Sequence, residues 1–294
     1  MGAADVVPGV SGGTIAFITG IYEELINSIK SIDIQALKLL FTLRFTDFWK
    51  KINGSFLISV VGGIAISIFS LAKLMTWLLE NHPIYIWSFF FGLIIASSVL
   101  VAKEIRQWDI FTVIALIAGA CIAYTITVMT PASTPNTWWF IILSGAIAIC
   151  AMILPGISGA FILLLLGKYT FILNAVSDLN IGILLLFIVG ALLGITSFSH
   201  LLSWLLKNYH TLTVALLTGF MVGSLNKVWP WKETLQTYID THGIEKVLVE
   251  TNVSPYRFEA LTQNDALLWQ AIVMCILGFA LIYSIEMIGN KMKK

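Results

Sequence analysis

The chain has 294 residues, 58% of them hydrophobic and 11% charged, with a formal net charge of +1. Soluble domains carry about 25% charged residues, so this composition excludes an ordinary water-soluble fold and points to a polytopic membrane protein. The balanced charge offers no surface for nucleic acid, and Cys121, Cys150 and Cys275 sit in apolar runs without ligand spacing, so neither metal nor cofactor is expected.

From the N-terminus, Gly2 to Ile29 is apolar but interrupted by Pro8-Gly9 and Gly12-Gly13. The stretch before Gly13 has no basic n-region and no continuous apolar core, so it is not read as a cleavable signal. Its arms are too short to cross a bilayer separately. A re-entrant hairpin is expected, a shape tolerated at membrane depth only where it is buried in protein or lines a polar cavity.

The Asn27 to Gly54 insertion carries Lys30, Lys38, Arg44, Lys50 and Lys51 against Asp33 and Asp47, which places it in the cytoplasm. Ile29, Ile32, Leu37, Leu40, Phe41, Phe45, Phe48 and Trp49 are interleaved with these lysines, as in a helix lying on an anionic membrane surface. A pure topology signal is the alternative.

Spans of about 20 apolar residues then follow at Ser55 to Leu79, His82 to Ala102 and Trp108 to Met129. Lys103 and Arg106 fall inside, and the uncharged Thr130 to Asn136 loop falls outside. A second broken segment, Thr137 to Val176, is interrupted by Pro155-Gly156 and Gly159. Two more spans, Ile181 to Leu206 and Thr211 to Trp229, lead to a loop over Pro230 to Asp265, where six acidic residues outnumber Lys232, Lys246 and Arg257. That loop is expected outside. The last span, Leu267 to Gly289, ends at Lys291, Lys293 and Lys294 and puts the C-terminus in the cytoplasm.

The two broken segments are copies. An offset of 147 residues pairs Pro8-Gly9-x-Ser11-Gly12 with Pro155-Gly156-x-Ser158-Gly159, and also Gly20 with Gly167, Tyr22 with Tyr169 and Asn27 with Asn174. An offset of 127 pairs Trp77-Leu78-Leu79-x-Asn81 with Trp204-Leu205-Leu206-x-Asn208, Gly92 with Gly219 and Ser97 with Ser224. Each half holds one hairpin and three spans. An odd number of crossings inverts the second half, so the expected fold is all-α with two inverted-topology repeats, 1–136 and 137–294, the architecture of secondary transporters.

A Pro-Gly-x-Ser-Gly turn leaves backbone N–H groups unpaired at the start of the next helix, whose positive dipole end faces them. Such an end receives anions, and Ser11 or Ser158 can add a hydroxyl donor. The plainer reading is that these residues kink helices and allow close packing; two inverted copies favour the anion site. A Gly-x-Ser-Gly sequence also brings intramembrane serine proteases to mind, with His200 as the buried base, but symmetry-paired serines without a second equivalent His fit that chemistry poorly.

Charges inside apolar segments are functional candidates. Lys73 and His200 coincide at the 127 offset, so two cationic groups are expected at equivalent places, with snorkelling to the interface as the alternative. Asp5 either titrates, orders the first turn or is exposed. Glu24 and Glu286 are read as interfacial, while Glu23 and Lys168 stay open.

At "MGAADVVPGVSGGTIAFITGIYE" and "LPGISGAFILLLLGKY" the chain closely resembles the PopT family of bacterial polyprenyl-phosphate translocases, over essentially its whole length. The resemblance implies a transporter, not an enzyme, in the bacterial cytoplasmic membrane that returns undecaprenyl phosphate, a lipid carrier of envelope synthesis, from the outer to the inner leaflet. It further implies that the phosphate is held by the breaks, namely Asp5, Pro8, Gly9, Ser11, Gly12, Gly13 and Thr14 in the first and Pro155, Gly156, Ser158 and Gly159 in the second, with Lys73 and His200. A coupling ion, proton or sodium, is left open, with Asp5 and His200 as the titrating candidates. Transport of a small soluble anion is the runner-up. Family members have a fuller first arm than the seven residues before Pro8, so this N-terminus is expected to be short or incomplete.

Overall fold

The computed structural model describes residues 2, 12–105, 107–239 and 245–292. The first broken segment contributes α1 (Gly12–Ile18) and α2 (Tyr22–Lys30), and the basic insertion forms α3 (Ile34–Phe41) and α4 (Phe45–Lys51). Long helices α5 (Gly54–Asn81), α6 (Pro83–Ala102) and α7 (Ile110–Val128) follow. The second half begins with α8 (Trp138–Ile153), α9 (Gly159–Leu165) and α10 (Tyr169–Ser177), then α11 (Ile181–Asn208) and α12 (His210–Ser224). It closes with β1 (Lys232–Ile239), β2 (Glu245–Asn252), α13 (Pro255–Thr262) and α14 (Leu268–Met292).

Among the described residues, four stretches, Pro83–Ala102, Ile110–Val128, Ile181–Asn208 and Leu268–Met287, are long and apolar enough to cross a bilayer. A fifth candidate is α9 with α10, bent by 108°. The protein is therefore a mostly helical membrane protein. Helices α6 and α12 are central: Ile94, Val214 and Ala215 are fully buried. Helix α6 packs on α14, and α12 packs on α7.

Local chemistry sets the helix ends. Asp109 caps α7 by accepting from Thr112 N at 2.8 Å, Asp33 caps α3 through Ala36 N, and Pro83 occupies the first turn of α6, where its missing N–H costs nothing. The helix-to-helix corners at His82 and Tyr209 are alike. In each, an Asn side-chain amide donates to the Trp carbonyl four residues back, Asn81 to Trp77 and Asn208 to Trp204, and the Trp ring meets the corner ring edge-on.

Three helix crossings are built on glycines, which let one backbone approach another. A Cβ on Gly92 would lie 1.9 Å from Cys275 O, and one on Gly278 would lie 2.0 Å from Phe89 O, at the α6–α14 crossing. At α7–α12, Gly119 faces Leu216 O and Gly219 faces Leu116 O at 2.2 and 2.1 Å. Gly145 and Gly190 do the same between α8 and α11.

The structure corrects several expectations. The fold is not all-α, because the segment read as an external loop forms an antiparallel hairpin, β1 with β2, paired Lys232 to Asn252 through Ile239 to Glu245. A small core of Ile84, Trp231, Val253, Ala266 and Ala271 anchors it, and the indole N–H groups of Trp229 and Trp231 donate to Val253 O and Ala266 O. Helix α12 stops at Ser224 instead of running to Trp229, since the chain turns there, with Leu225 N and Lys227 N donating to Val222 O and Ser224 O. The single surface helix expected in the insertion is two helices joined at Leu43, whose φ is +57°. Ile34, Phe41, Leu43, Phe45 and Trp49 are exposed there, as a membrane-surface segment requires.

Candidate functional site

The second break, residues 154–158, lies in the protein interior. Pro155, Gly156, Ile157, Ser158 and Gly159 are all buried. Gly156 adopts φ +88°, a conformation that L side chains resist, and a Cβ there would also meet Ser224 Oγ and Phe220 O of α12 at 2.8 and 2.9 Å. Gly159 presses α9 back on α8, its missing Cβ facing Ala148 O at 2.6 Å.

The two broken segments meet here. Gly156 N donates to Thr14 Oγ1 at 3.0 Å, in the first turn of α1, and both groups are buried. Tyr22, at the start of α2, donates its hydroxyl to Ile153 O at 3.2 Å. The two segments are thus hydrogen-bonded to one another, although Thr14 and Gly156 are 142 residues apart. Gly12 and Gly13 are buried beside Thr14.

Ser158 sits at the N-cap of α9, 9% exposed, yet its side chain makes no capping hydrogen bond. Its hydroxyl is therefore not spent on its own helix. The first N–H groups of α9 have no intrahelical acceptor, so a buried hydroxyl and backbone donors converge at one break.

Of the other expected site residues, Asp5, Pro8, Gly9 and Ser11 lie outside the described residues. Lys73 and His200 do not join the breaks. Both are exposed on their helices, and His200, expected to be buried, has Nδ1 2.8 Å from Thr196 O one turn back. Lys168 is 1% exposed and saturated: Nζ donates to Thr134 O at 2.8 Å and Asn136 Oδ1 at 2.5 Å, between the rings of Phe140 and Phe171. With Ala132 N donating to Leu165 O, it clasps the α9–α10 bend to the preceding loop, a structural task. Glu23 pairs with His210 at 3.2 Å and Glu24 accepts from Asn53 at 2.8 Å, both near exposed surface.

A charged cluster that sequence reading missed lies where the β-hairpin meets the bundle. Lys227 and Lys232 both donate to Glu250 Oε1, at 2.9 and 2.8 Å. Burial opposes ionisation of Glu250, but the two ammonium groups overcome it and hold its carboxyl down at about 2. Burial pulls Lys232 down to about 8, with Glu250 working in the opposite direction. No local motif announces this cluster, because Lys232 and Glu250 meet only through the pairing of β1 with β2.

The Thr14 bond carries a direct expectation. Thr14→Val keeps the shape but leaves the buried Gly156 N–H unpaired, which costs about 1–3 kcal/mol. Thermal unfolding in detergent should show that loss, and Thr14→Ser should recover most of it. Equal stability of all three proteins would mean that the contact contributes nothing.

Comparison with known proteins adds identity to this geometry. Residues 1–246 match a family model described as undecaprenyl phosphate translocase-like. A polyprenyl-phosphate transporter of Vibrio cholerae is 50% identical over 291 residues, covering 99% of this chain and 94% of the relative. A polyprenyl-phosphate transporter of Staphylococcus aureus is 36% identical over 248 residues, covering 78% and 83%. No solved structure matches the chain.

Proposed function

Because the chain belongs to the undecaprenyl phosphate translocase-like family, we propose that it transports polyprenyl phosphate, carrying undecaprenyl phosphate from the outer to the inner leaflet of the bacterial cytoplasmic membrane for reuse in envelope synthesis. The observation that carries the mechanism is the Gly156 to Thr14 bond, which joins the two broken segments in the protein interior. A lipid phosphate needs a polar path for its head only, since its tail stays in hydrocarbon. Two helix breaks that meet inside the protein offer that path without opening an aqueous channel.

The accompanying architecture is two inverted repeats, 1–136 and 137–294, each a re-entrant hairpin with three spans. Matched boundaries support it. Helices α9 and α10 start and stop 147 residues after α1 and α2 at all four ends, and α11 starts and stops 127 residues after α5 at both. The glycine crossings correspond as well. Gly92 meets α14 as Gly219, 127 residues later, meets α7, so each half packs its second span on the other half's third.

In this reading the phosphate is held by backbone N–H groups at the breaks, with Ser158 and its counterpart Ser11 as hydroxyl donors. Lys73 and His200 take no part in holding it. The protease alternative lacks its base, because His200 faces outward and its Nδ1 is engaged by Thr196 O.

Reconstitution into vesicles with leaflet-resolved detection of undecaprenyl phosphate tests the function. Transfer should exceed that of empty vesicles, and a Ser11→Ala/Ser158→Ala protein should be roughly tenfold slower, the worth of hydrogen bonds to a charged group. Folded protein that moves no lipid would overturn the transport reading. A double variant as fast as the native protein would remove only the serines from the site.

A further inference from the structure

The cluster of Lys227, Lys232 and Glu250 lines a cavity of about 330 Å³ enclosed by the end of α7, helix α9, the turn after α12 and the β-hairpin. It holds two ammonium groups and one carboxylate, a surplus of one positive charge in a largely buried place: Lys227 and Lys232 side chains are 16% and 9% exposed. Charge without a counterion in such a setting is costly. Both lysines share the same carboxylate oxygen, Glu250 Oε1, and no second acidic side chain among the described residues lines the cavity.

The two lysines differ in what they have left to give. Lys232 donates to Glu250 and to Lys227 O at 2.8 Å and stands 4.1 Å over the Trp87 ring, so its three N–H groups are occupied. Among the described residues, Lys227 Nζ donates only to Glu250, and it rests 4.6 Å from the Phe161 ring. Its remaining N–H capacity faces the cavity. Counted as for Lys232, this leaves Lys227 one N–H, so the surplus charge and the spare donor fall on the same residue.

Position argues for what the cavity takes. Phe161, Leu164 and Leu165 in its wall belong to α9, the helix that begins at the buried break, so the cavity adjoins the candidate substrate site. Tyr124 and Val128 of α7 and Met129 just beyond it line the cavity and are exposed, so an apolar chain could lie against them while its head enters. Loop charge puts this end of the bundle outside the membrane.

We propose that this cavity receives a phosphate monoester group before it reaches the break between α8 and α9, with Lys227 contacting the phosphate, Lys232 adding charge from behind and Glu250 positioning both lysines. The assignment rests on the transport reading for its place in the cycle. A single surplus charge suits a site that must also release its ligand: the phosphate is attracted, and Glu250 keeps the attraction moderate.

The test uses the full chain in detergent, with farnesyl phosphate and inorganic phosphate as separate probes and the fluorescence of the nearby tryptophans, Trp87 among them, as the readout. Saturable binding of a phosphate probe is expected, roughly tenfold weaker in Lys227→Gln and close to native in Lys227→Arg. Tighter binding of farnesyl phosphate marks a lipid headgroup site, and equal binding of the two marks a site for the phosphate group itself. Thermal unfolding of each variant confirms that it is folded. Native affinity in Lys227→Gln, or no binding of either probe to the native protein, overturns the site and reduces the cluster to a staple for the β-hairpin. The vesicle assay keeps the two claims apart. Lipid transfer with Lys227-independent binding sinks the site alone, whereas Lys227-dependent binding without any transfer sinks the transport reading alone.

Discussion

Gly92→Leu is expected to leave no folded, monodisperse protein in detergent. The Cβ alone would sit 1.9 Å from Cys275 O, where real contacts do not fall below 3.0 Å, so α6 and α14 would have to separate by about 1 Å before the rest of the side chain is placed. Overpacking of this kind costs about 1–3 kcal/mol for the smallest insertions, so Gly92→Ala should already lower the unfolding temperature. The comparison that makes the result specific is Gly62 and Gly63 on α5, where a Cβ would meet nothing within 4 Å. There, Gly→Ala should be neutral or slightly stabilising, since Ala favours a helix by roughly 1 kcal/mol. If Gly92→Ala unfolds at the same temperature as Gly62→Ala, the α6–α14 crossing is looser than described. Because α6 is among the most buried helices, its displacement would also disturb α12 and the wall beside Gly156.

Glu250→Gln should destabilise the protein by about 3–5 kcal/mol, because it strands two largely buried ammonium groups without their shared carboxylate. The pH dependence has a fixed sign. The Glu250 carboxyl is held at about 2 against an ordinary 4.5, so its stabilisation is fully present above pH 4.5 and is lost as pH falls toward 2. Lys232 is pulled from 10.5 to about 8, so the folded state releases its proton more readily than the unfolded chain does. Stability from that residue therefore improves as pH rises from 8 to 10.5. Unfolding followed across pH should show a smaller acid limb in Glu250→Gln than in the native protein, the rest coming from carboxylates such as the caps Asp33 and Asp109, and Lys232→Met should lack the alkaline gain. A Glu250→Gln protein with native stability and an unchanged acid limb would mean that the cluster is solvated rather than buried.

Sequence pattern carried most of the scaffold and a smaller part of the site. Four of the six expected spans coincide with helices long and apolar enough to cross, because hydrocarbon thickness sets span length, and the second break is legible because Pro-Gly interrupts an apolar run. The offsets of 147 and 127 match the ends of α1, α2 and α5 to those of α9, α10 and α11, and pair Gly92 with Gly219, each at a close helix crossing. What escaped has physical causes. A uniformly apolar helix does not show which side faces inward, so its sequence leaves Lys73 and His200 open between the site and the interface, and only the structure shows both exposed. The β-hairpin is polar and charged, and its strands recognise each other across a turn, which a charge count over one loop does not register. Lys232 and Glu250 count only as loop charge, and Lys227 falls within the expected Thr211 to Trp229 span; the turn after α12 and the strand pairing together make them a cluster.

Thr14 has one further consequence. At the 147 offset its counterpart is Phe161, which has no hydroxyl, so the bond from Gly156 to Thr14 has no twin in the other half. In the proposed carrier, this bond adds to the asymmetry already set by the basic insertion of one half and the β-hairpin of the other. Made in one of two opposite-facing forms and broken in the other, a hydrogen bond of about 1 kcal/mol would skew resting occupancy several-fold. Single-cysteine labelling from each side of the membrane, compared between the native protein and Thr14→Val, would read this skew. An unchanged ratio would show that the carrier's resting preference is set elsewhere.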